Sequence, residues 1–133
     1  MTKMALIVSE FNSEITARMK IAAEERAKEL GAEIVVVYSV PGALDSPFAL
    51  KKALKRKDVD CAAVLGAVIK GETDHDAVVA NTAADKIVQL SLEFEKPVGF
   101  GVMGPNCTWE KAEERAEGYG KRAVEAAVKL CRL

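Results

Sequence analysis

The single histidine of the chain, His75, lies in a segment whose residues could hold an anion and move a proton. Residues 70–76 read Lys-Gly-Glu-Thr-Asp-His-Asp, and Gly71 lets the backbone approach a ligand closely. Thr73 and the backbone amides at the start of a following helix are suited to binding a phosphate group. Because an imidazole changes its charge near neutral pH, His75 is suited to proton transfer. The alternative is a surface histidine without a catalytic role, and the local pattern leaves both open.

A large aromatic residue and an amide follow the first apolar run of the chain. Residues 9–13 read Ser-Glu-Phe-Asn-Ser. Phe11 is suited to stacking on a planar ring, with Asn12 as a hydrogen-bonding neighbour. In the alternative, which this loop by itself favours, Phe11 folds over the edge of the core and Asn12 or Ser13 caps the next helix.

Residues 40–47, which read Val-Pro-Gly-Ala-Leu-Asp-Ser-Pro, combine a turn with the start of a helix. A Pro-Gly turn and an N-cap at Ser46, followed by a proline, explain most of the segment. They do not explain Ala43, Leu44 and Asp45. The backbone polar groups and the carboxylate of these three residues are suited to the hydroxyls of a polyol.

Residues 101–108 form a fourth candidate loop, and a charged run follows at 110–117. Cys107 has no neighbouring base that would activate it, so we interpret it as a small turn residue rather than a nucleophile. Most charges of the run, which contains Lys111 and Arg115, are expected to line a solvated helix face with ion pairs between residues four apart.

The elements that position these loops alternate along the chain. Four short apolar runs, rich in valine and isoleucine, cover residues 4–9, 33–40, 60–69 and 97–102. They lack in-and-out alternation, which is typical of parallel strands buried on both faces. Helical spacing of apolar residues predicts helices over 14–30, 46–56 and 75–94, and a last helical region after a Thr108 cap. We expect Gly118 and Gly120 to break that last region in two.

This alternation predicts an α/β fold with a four-stranded parallel sheet. Right-handed crossovers place helices on both faces, which gives a flavodoxin-like three-layer α/β/α sandwich. Ligands of such sheets bind beyond the carboxyl ends of the strands. Each candidate loop follows a predicted strand, so we expect the loops to meet at that edge.

Length, composition and charge narrow the class of protein. The 133 residues suit a single domain, 1–133, in which 50% of residues are hydrophobic and 29% are charged. With 19 Lys and Arg against 20 Asp and Glu, the net charge of −1 gives no reason to expect a nucleic-acid or membrane partner. The 3 cysteines have no paired spacing, and no N-terminal targeting pattern is visible. We therefore expect a reduced, cytoplasmic protein.

Taken together, the loops resemble the 6,7-dimethyl-8-ribityllumazine synthase family of riboflavin biosynthesis. The matching segments are Phe-Asn at 11–12 with Ile-Thr at 15–16, then 40–47, 65–75, 97–102 and 112–116. They follow the family's order over nearly the whole chain, and the stretch Gly-x-Val-Ile-Lys-Gly-x-Thr-x-His at 66–75 is the most specific. The resemblance implies a transferase that condenses 5-amino-6-(D-ribitylamino)uracil with 3,4-dihydroxy-2-butanone 4-phosphate, and it implies no metal and no organic cofactor.

The resemblance also implies roles for individual residues. His75 would transfer protons, and Arg115 would be the counter-charge of the substrate phosphate, which backbone and hydroxyl groups of Gly71, Glu72 and Thr73 would also bind. The residues implied to bind the aminouracil ring and its ribityl chain are Phe11, Asn12, Ala43, Leu44, Asp45, Val68, Ile69, Lys70 and Phe100. Two of these depart from the family, because Asp45 stands where glutamate is usual and Lys70 where arginine is commoner.

Two further residues near the C-terminus are implied to support the site. Alignment from Val-Glu-Ala-Ala at 124–127 assigns these roles to Arg122 and Glu125, with Glu125 supporting the catalytic histidine. Alignment from Arg115 instead favours Lys121 over Arg122. Because Phe100 and Arg115 would reach the site from a neighbouring subunit, the resemblance implies a homo-oligomer. It would be a pentamer, and in some family members pentamers assemble further into an icosahedral shell.

Two other functions are compatible with the fold. An archaeal riboflavin synthase paralogue shares the Val-Pro-Gly turn, but the Gly-x-Thr-x-His stretch argues against it. A non-catalytic flavin- or lumazine-binding assembly protein is the other alternative. The presence of His75, Arg115, Phe11 and Thr73 together argues against it.

Overall fold

The computed structural model describes the whole chain, residues 1–133, as alternating strands and helices. The strands are β1 (Thr2–Ser9), β2 (Ala32–Val40), β3 (Cys61–Ile69) and β4 (Val98–Cys107). The helices are α1 (Ser13–Glu29), α2 (Ser46–Leu54), α3 (His75–Phe94) and α4 (Trp109–Cys131), and a short 3-10 turn, Ala43–Asp45, precedes α2. The predicted order of strands and helices is confirmed.

The four strands form one parallel sheet with the order β2-β1-β3-β4. Helices α1 and α4 pack on one face of the sheet, and α2 and α3 pack on the other. This is the predicted flavodoxin-like three-layer sandwich.

Neighbouring residues of the central strands enter opposite cores. On β1, Leu6 packs in the cluster beneath α1 and α4, whereas Ile7 packs in the cluster beneath α2 and α3. Leu65 and Val64 repeat this division on β3, and all four side chains are fully buried. Burial on both faces explains why the sequence shows continuous apolar runs instead of alternation.

The last helix is continuous, so the expected break at Gly118 and Gly120 is wrong. Thr108 caps α4 as predicted, because its side chain accepts a hydrogen bond from the Lys111 N–H. Gly120 is buried, and a Cβ there would lie 2.4 Å from the carbonyl oxygen of Met19 on α1. Gly120 therefore lets two helices approach closely, and this packing outweighs the low helix propensity of glycine.

Strand β4 extends beyond its expected end at Val102, so most of the fourth candidate loop is strand. Pairing with β3 continues from Ala67↔Met103 to Ile69↔Cys107 across a register shift. Glycine and proline at 104–105 are turn residues by type, but here they occupy the irregular part of a paired strand.

The start of α2 also differs from its prediction. Asp45 occupies the N-cap position, and Ser46 is the first helical residue. The buried Ser46 hydroxyl donates to the carbonyl oxygen of Ala43 at 2.6 Å. The hydroxyl thus stabilises the 3-10 turn that leads into α2 rather than capping the helix.

The crevice of the fold lies between β1 and β3. These strands are neighbours in the sheet, but the helices that follow them, α1 and α3, lie on opposite faces. The two loops therefore diverge at the carboxyl ends of the strands, where ligands of doubly wound sheets bind. None of the four helices combines the length and apolar character that crossing a membrane requires.

Candidate active site

A cavity of about 530 Å³ occupies this crevice. It is lined by the loops that follow β1, β2 and β3 and by the first turns of α3. The sequence-predicted residues that the cavity brings together are Phe11, Ala43, Leu44, Val68, Ile69, Gly71, Thr73 and His75. Residues from three separate loops therefore meet at one site, as expected for the carboxyl edge of a parallel sheet.

The loop after β1 is held by hydrogen bonds to the end of β2 and to the residue that follows it. The N–H groups of Glu10 and Phe11 donate to the carbonyl oxygens of Val40 and Pro41 at 2.7 and 2.9 Å. The Phe11 side chain is 73% exposed, so it does not fold over the core edge. Its ring is free to stack on a ligand at the wall of the cavity.

Asn12 occupies the N-cap position of α1, but its side chain does not cap the helix. It adopts the left-handed conformation, with φ 62°. Its Nδ2 donates to the carbonyl oxygen of Ala67 at 2.8 Å. The side chain therefore ties the loop after β1 to the end of β3.

The turn after β2 presents Ala43 and Leu44 to the cavity but turns Asp45 away from it. The Asp45 carboxylate accepts the N–H of Gly42 at 2.9 Å, within its own turn. Leu44 is 49% exposed. In this arrangement Asp45 shapes the turn, and the lining of the cavity does not include it.

The loop after β3 positions His75 as the first residue of α3. The His75 N–H donates to Thr73 Oγ1 at 3.3 Å, and both side chains are exposed to the cavity. The Lys70 Nζ instead lies 3.4 Å from Asn106 Oδ1 on β4 and 3.8 Å from Asp74 Oδ1 in its own loop. Lys70 and the exposed Glu72 do not line the cavity.

Two polar residues of the cavity, Ser9 and Asp76, were not among the predicted site residues. Asp76 is 5% exposed, and one carboxylate oxygen accepts the N–H of Asn106 at 3.0 Å. This bond, aided by the positive charge of Lys70, holds the pKa of Asp76 below its usual range. Spacing could have revealed its burial, because Asp76 falls on the same stripe as the buried Ala80, Ala83 and Ile87 of α3.

Phe100 and Arg115 lie away from this cavity, at a separate cleft beside the edge strand β4. The cleft is lined by Phe100, Arg115, Tyr119 and Arg122. The Arg122 guanidinium stacks over the Tyr119 ring at 4.9 Å from its centroid. Arg122, rather than Lys121, is therefore the second basic residue at this cleft, beside Arg115. A single chain does not bring the cleft together with His75.

Glu125 forms an ion pair within the chain. Its carboxylate lies 3.0 Å from Arg26, which links α4 to α1 on the face of the sheet opposite α3. Glu125 and His75 of one chain are therefore not neighbours.

Comparison with known proteins points to one family. The model of the 6,7-dimethyl-8-ribityllumazine synthase family matches residues 1–133. A protein of that name from Metallosphaera sedula is 52% identical over 130 residues, which cover 98% of this chain and 86% of the relative. Proteins of the same name from Methanococcus vannielii and Methanocaldococcus jannaschii are each 48% identical over 130 residues, with 92% of the relative covered.

Proposed function

The chain belongs to the 6,7-dimethyl-8-ribityllumazine synthase family, and we propose that its active site combines the cavity beside His75 with the cleft beside Arg115 of a neighbouring subunit. The enzyme condenses 5-amino-6-(D-ribitylamino)uracil with 3,4-dihydroxy-2-butanone 4-phosphate to give 6,7-dimethyl-8-ribityllumazine, phosphate and water. The observation that carries the proposed site is the meeting of Phe11, Thr73 and His75 in one cavity.

The aminouracil substrate is assigned to the part of the cavity between the first three loops. Phe11 stacks on the pyrimidine ring, and the backbone of Val68 and Ile69 faces its polar edge. The backbone of Ala43 and Leu44 contacts the ribityl chain. The apolar walls exclude water, while the carboxyl ends of the strands offer polar backbone groups to the substrate.

The phosphate of the second substrate is assigned to the start of α3. The backbone at Gly71 and the hydroxyl of Thr73 lie at this helix terminus, where the helix dipole favours an anion. Glu72 is exposed and contributes backbone only, because a carboxylate beside a phosphate would be unfavourable. Arg115 of the neighbour supplies the counter-charge and can bind two phosphate oxygens at once.

The reaction needs positioning more than a strong nucleophile. The amine of the aminouracil attacks the ketone, water leaves as the imine forms, phosphate is eliminated, and ring closure releases a second water. Holding both substrates in register accounts for several kcal/mol of the barrier reduction. His75, at the N-terminus of α3, transfers the protons that these steps require.

The separation of the two half-sites supports an oligomer. Phe100 and Arg115 line a different surface from His75, so the site is complete only when two chains meet. Exposed apolar side chains on α3, such as Val78, Val88 and Leu92, are available for contact with other copies. We assign the assembly as a pentamer, and light scattering that found a stable monomer would contradict it.

We assign Arg122 a direct role at the shared site and Glu125 an indirect one. Arg122 lines the cleft with Arg115 and Phe100 and is the second basic group offered to the neighbour's cavity. Glu125 acts through its ion pair with Arg26, which fixes α4 against α1 and thereby the position of that cleft.

The state of the cysteines bears on the compartment. Cys61, Cys107 and Cys131 are all free thiols. Free thiols are stable in a reducing environment, which supports the cytoplasm as the site of action of this single domain.

The test is a condensation assay with the two purified substrates. Lumazine absorbance and released phosphate are followed against a reaction without protein, because the substrates also condense slowly by themselves. We expect acceleration with a matched yield of lumazine and phosphate. Binding of lumazine or flavin without any acceleration would instead identify a non-catalytic binding protein.

A further inference from the structure

Two buried polar side-chain atoms of the protein have no hydrogen-bond partner within the chain, and both belong to residues of the same cavity. They are Ser9 Oγ and Asp76 Oδ1. Ser9 is 2% exposed and Asp76 is 5% exposed. Burying a polar atom without a partner is costly, so such atoms are rare in folded proteins and call for a specific explanation. Because both residues line the cavity, a bound ligand could supply the missing hydrogen-bond partners of the two atoms.

The Ser9 hydroxyl is buried at the wall of the cavity, beside Gly66. Ser9 ends β1, next to β3, and a Cβ on Gly66 would lie 2.9 Å from Ser9 Oγ. The absence of a side chain at Gly66 thus leaves room for the hydroxyl. Ala43, which also lines the cavity, is the other neighbour of that position.

The surroundings of Asp76 fix its charge and its orientation. One carboxylate oxygen is held by the Asn106 N–H, so the carboxylate cannot rotate freely. The other oxygen is left as an acceptor with no donor. An ionised carboxylate accepts hydrogen bonds but cannot donate them, so its partner must carry an O–H or N–H group.

The charge of the two substrates distinguishes them. Both carry O–H donors, but the butanone phosphate is anionic, and its phosphate is assigned to Gly71, Thr73 and the neighbour's Arg115. At Oδ1 of Asp76 that phosphate would meet an ionised carboxylate, which repels it. The ribitylaminouracil is neutral and carries amine, ring N–H and hydroxyl donors. On the basis of the proposed function, we infer that Ser9 and Asp76 form a polar binding site for the donor groups of the neutral ribitylaminouracil substrate, with Asp76 as acceptor.

The variants that test this site change hydrogen bonding with little change in shape. Ser9→Ala removes an oxygen that has no partner in the chain, so stability should not fall. Asp76→Asn can still accept the Asn106 N–H through its amide oxygen, but it then presents an NH₂ donor where the substrate needs an acceptor. Ser91→Ala is the matched control, because Ser91 lies outside the cavity and its hydroxyl donates to the Lys96 carbonyl at 2.9 Å.

The experiment measures binding of ribitylaminouracil alone by calorimetry and the KM of both substrates, with unfolding of each variant followed in parallel. We expect the dissociation constant and KM for ribitylaminouracil to rise about fivefold in Ser9→Ala and more than about tenfold in Asp76→Asn. The KM for the butanone phosphate should not rise in either variant. Ser91→Ala should lower stability and leave ribitylaminouracil binding unchanged.

The outcomes separate this inference from the proposed function. Unchanged ribitylaminouracil binding in both folded variants, with wild-type turnover intact, would overturn the inference alone and assign the two atoms to ordered water. A rise confined to the KM of the butanone phosphate would also overturn it. Wild-type protein that bound ribitylaminouracil through Ser9 and Asp76 but gave no condensation would support the inference and contradict the proposed function.

Discussion

The side chain of Asn12 donates to the backbone carbonyl of Ala67 at 2.8 Å, across 55 residues of sequence. This bond joins the loop that carries Phe11 to the end of β3, which leads into the loop that carries His75. It therefore helps to hold the loop of Phe11, to which we assign ring stacking, beside the strand that leads to His75, to which we assign proton transfer. The left-handed backbone of Asn12 turns the chain so that the bond can form.

Two substitutions of Asn12 distinguish the contribution of its hydrogen bond from that of its left-handed backbone conformation. Asn12→Ala loses the hydrogen bond and strains the left-handed backbone, so we expect a loss of about 2 kcal/mol in unfolding free energy. Asn12→Gly relieves the strain and should lose only about 1 kcal/mol. Denaturant unfolding measures both, and both should raise the KM for ribitylaminouracil. Equal stability of Asn12→Gly and wild type would show that the bond contributes nothing.

Substitution of His75 should affect turnover without affecting the fold. His75 is exposed, so His75→Ala and His75→Gln should unfold like wild type. We expect kcat to fall about 100-fold in both, because neither side chain can transfer a proton near neutral pH. Steady-state kinetics, with the uncatalysed rate subtracted, measures kcat of each variant. Full activity of His75→Gln would mean that hydrogen bonding, not proton transfer, is the role of this residue.

Two glycines of α4 should respond in opposite directions to the same change. At Gly118 a Cβ meets nothing within 4 Å, so Gly118→Ala should stabilise the protein by about 0.5–1 kcal/mol. At Gly120 a Cβ would lie 2.4 Å from the Met19 carbonyl oxygen, so Gly120→Ala must force α1 and α4 apart. We expect the latter to lose several kcal/mol. Thermal unfolding of the two variants measures both changes in stability. Equal effects would contradict the close approach of the two helices.

The ion pair of Arg56 and Asp58 predicts part of the acid sensitivity. Two hydrogen bonds of 2.8 Å from the guanidinium lower the pKa of Asp58 from 3.8 to about 2. Because the folded pKa is depressed, the stabilisation is present above the unfolded pKa and is lost as pH falls through this interval. Asp58→Asn should therefore flatten the fall of unfolding free energy between pH 3.8 and about 2. A fall as steep as that of wild type in the same interval would contradict a stabilising contribution from this ion pair.

The fold could be predicted from the sequence because strands that are buried on both faces have continuous apolar sequences. The ends of the helices and strands were harder to predict. Gly120 has low helix propensity, and only the proximity of Met19 explains why it lies inside a helix. The turn residues at 104–105 concealed the continuation of β4, because pairing across a register shift has no local signal.

Three residues of the candidate site, Gly71, Thr73 and His75, could be selected from the sequence because one short loop, 70–76, carries them all. Residues that depend on tertiary contacts were harder to find. In the sequence, Ser9 is only the last residue of an apolar strand. Its place in the cavity wall beside Gly66 is visible only in the folded chain. The partner of Glu125 is Arg26, 99 residues away, which no local pattern indicates.

If His75 of one subunit works with Arg115 of its neighbour, mixing two inactive variants should restore part of the activity. His75→Ala and Arg115→Ala chains are co-expressed with different tags, and hetero-oligomers carrying both tags are assayed. At equal, random mixing, about one interface in four joins an intact His75 to an intact Arg115, so we expect roughly a quarter of wild-type activity. Activity no greater than that of the two variants measured separately would contradict a site shared between subunits.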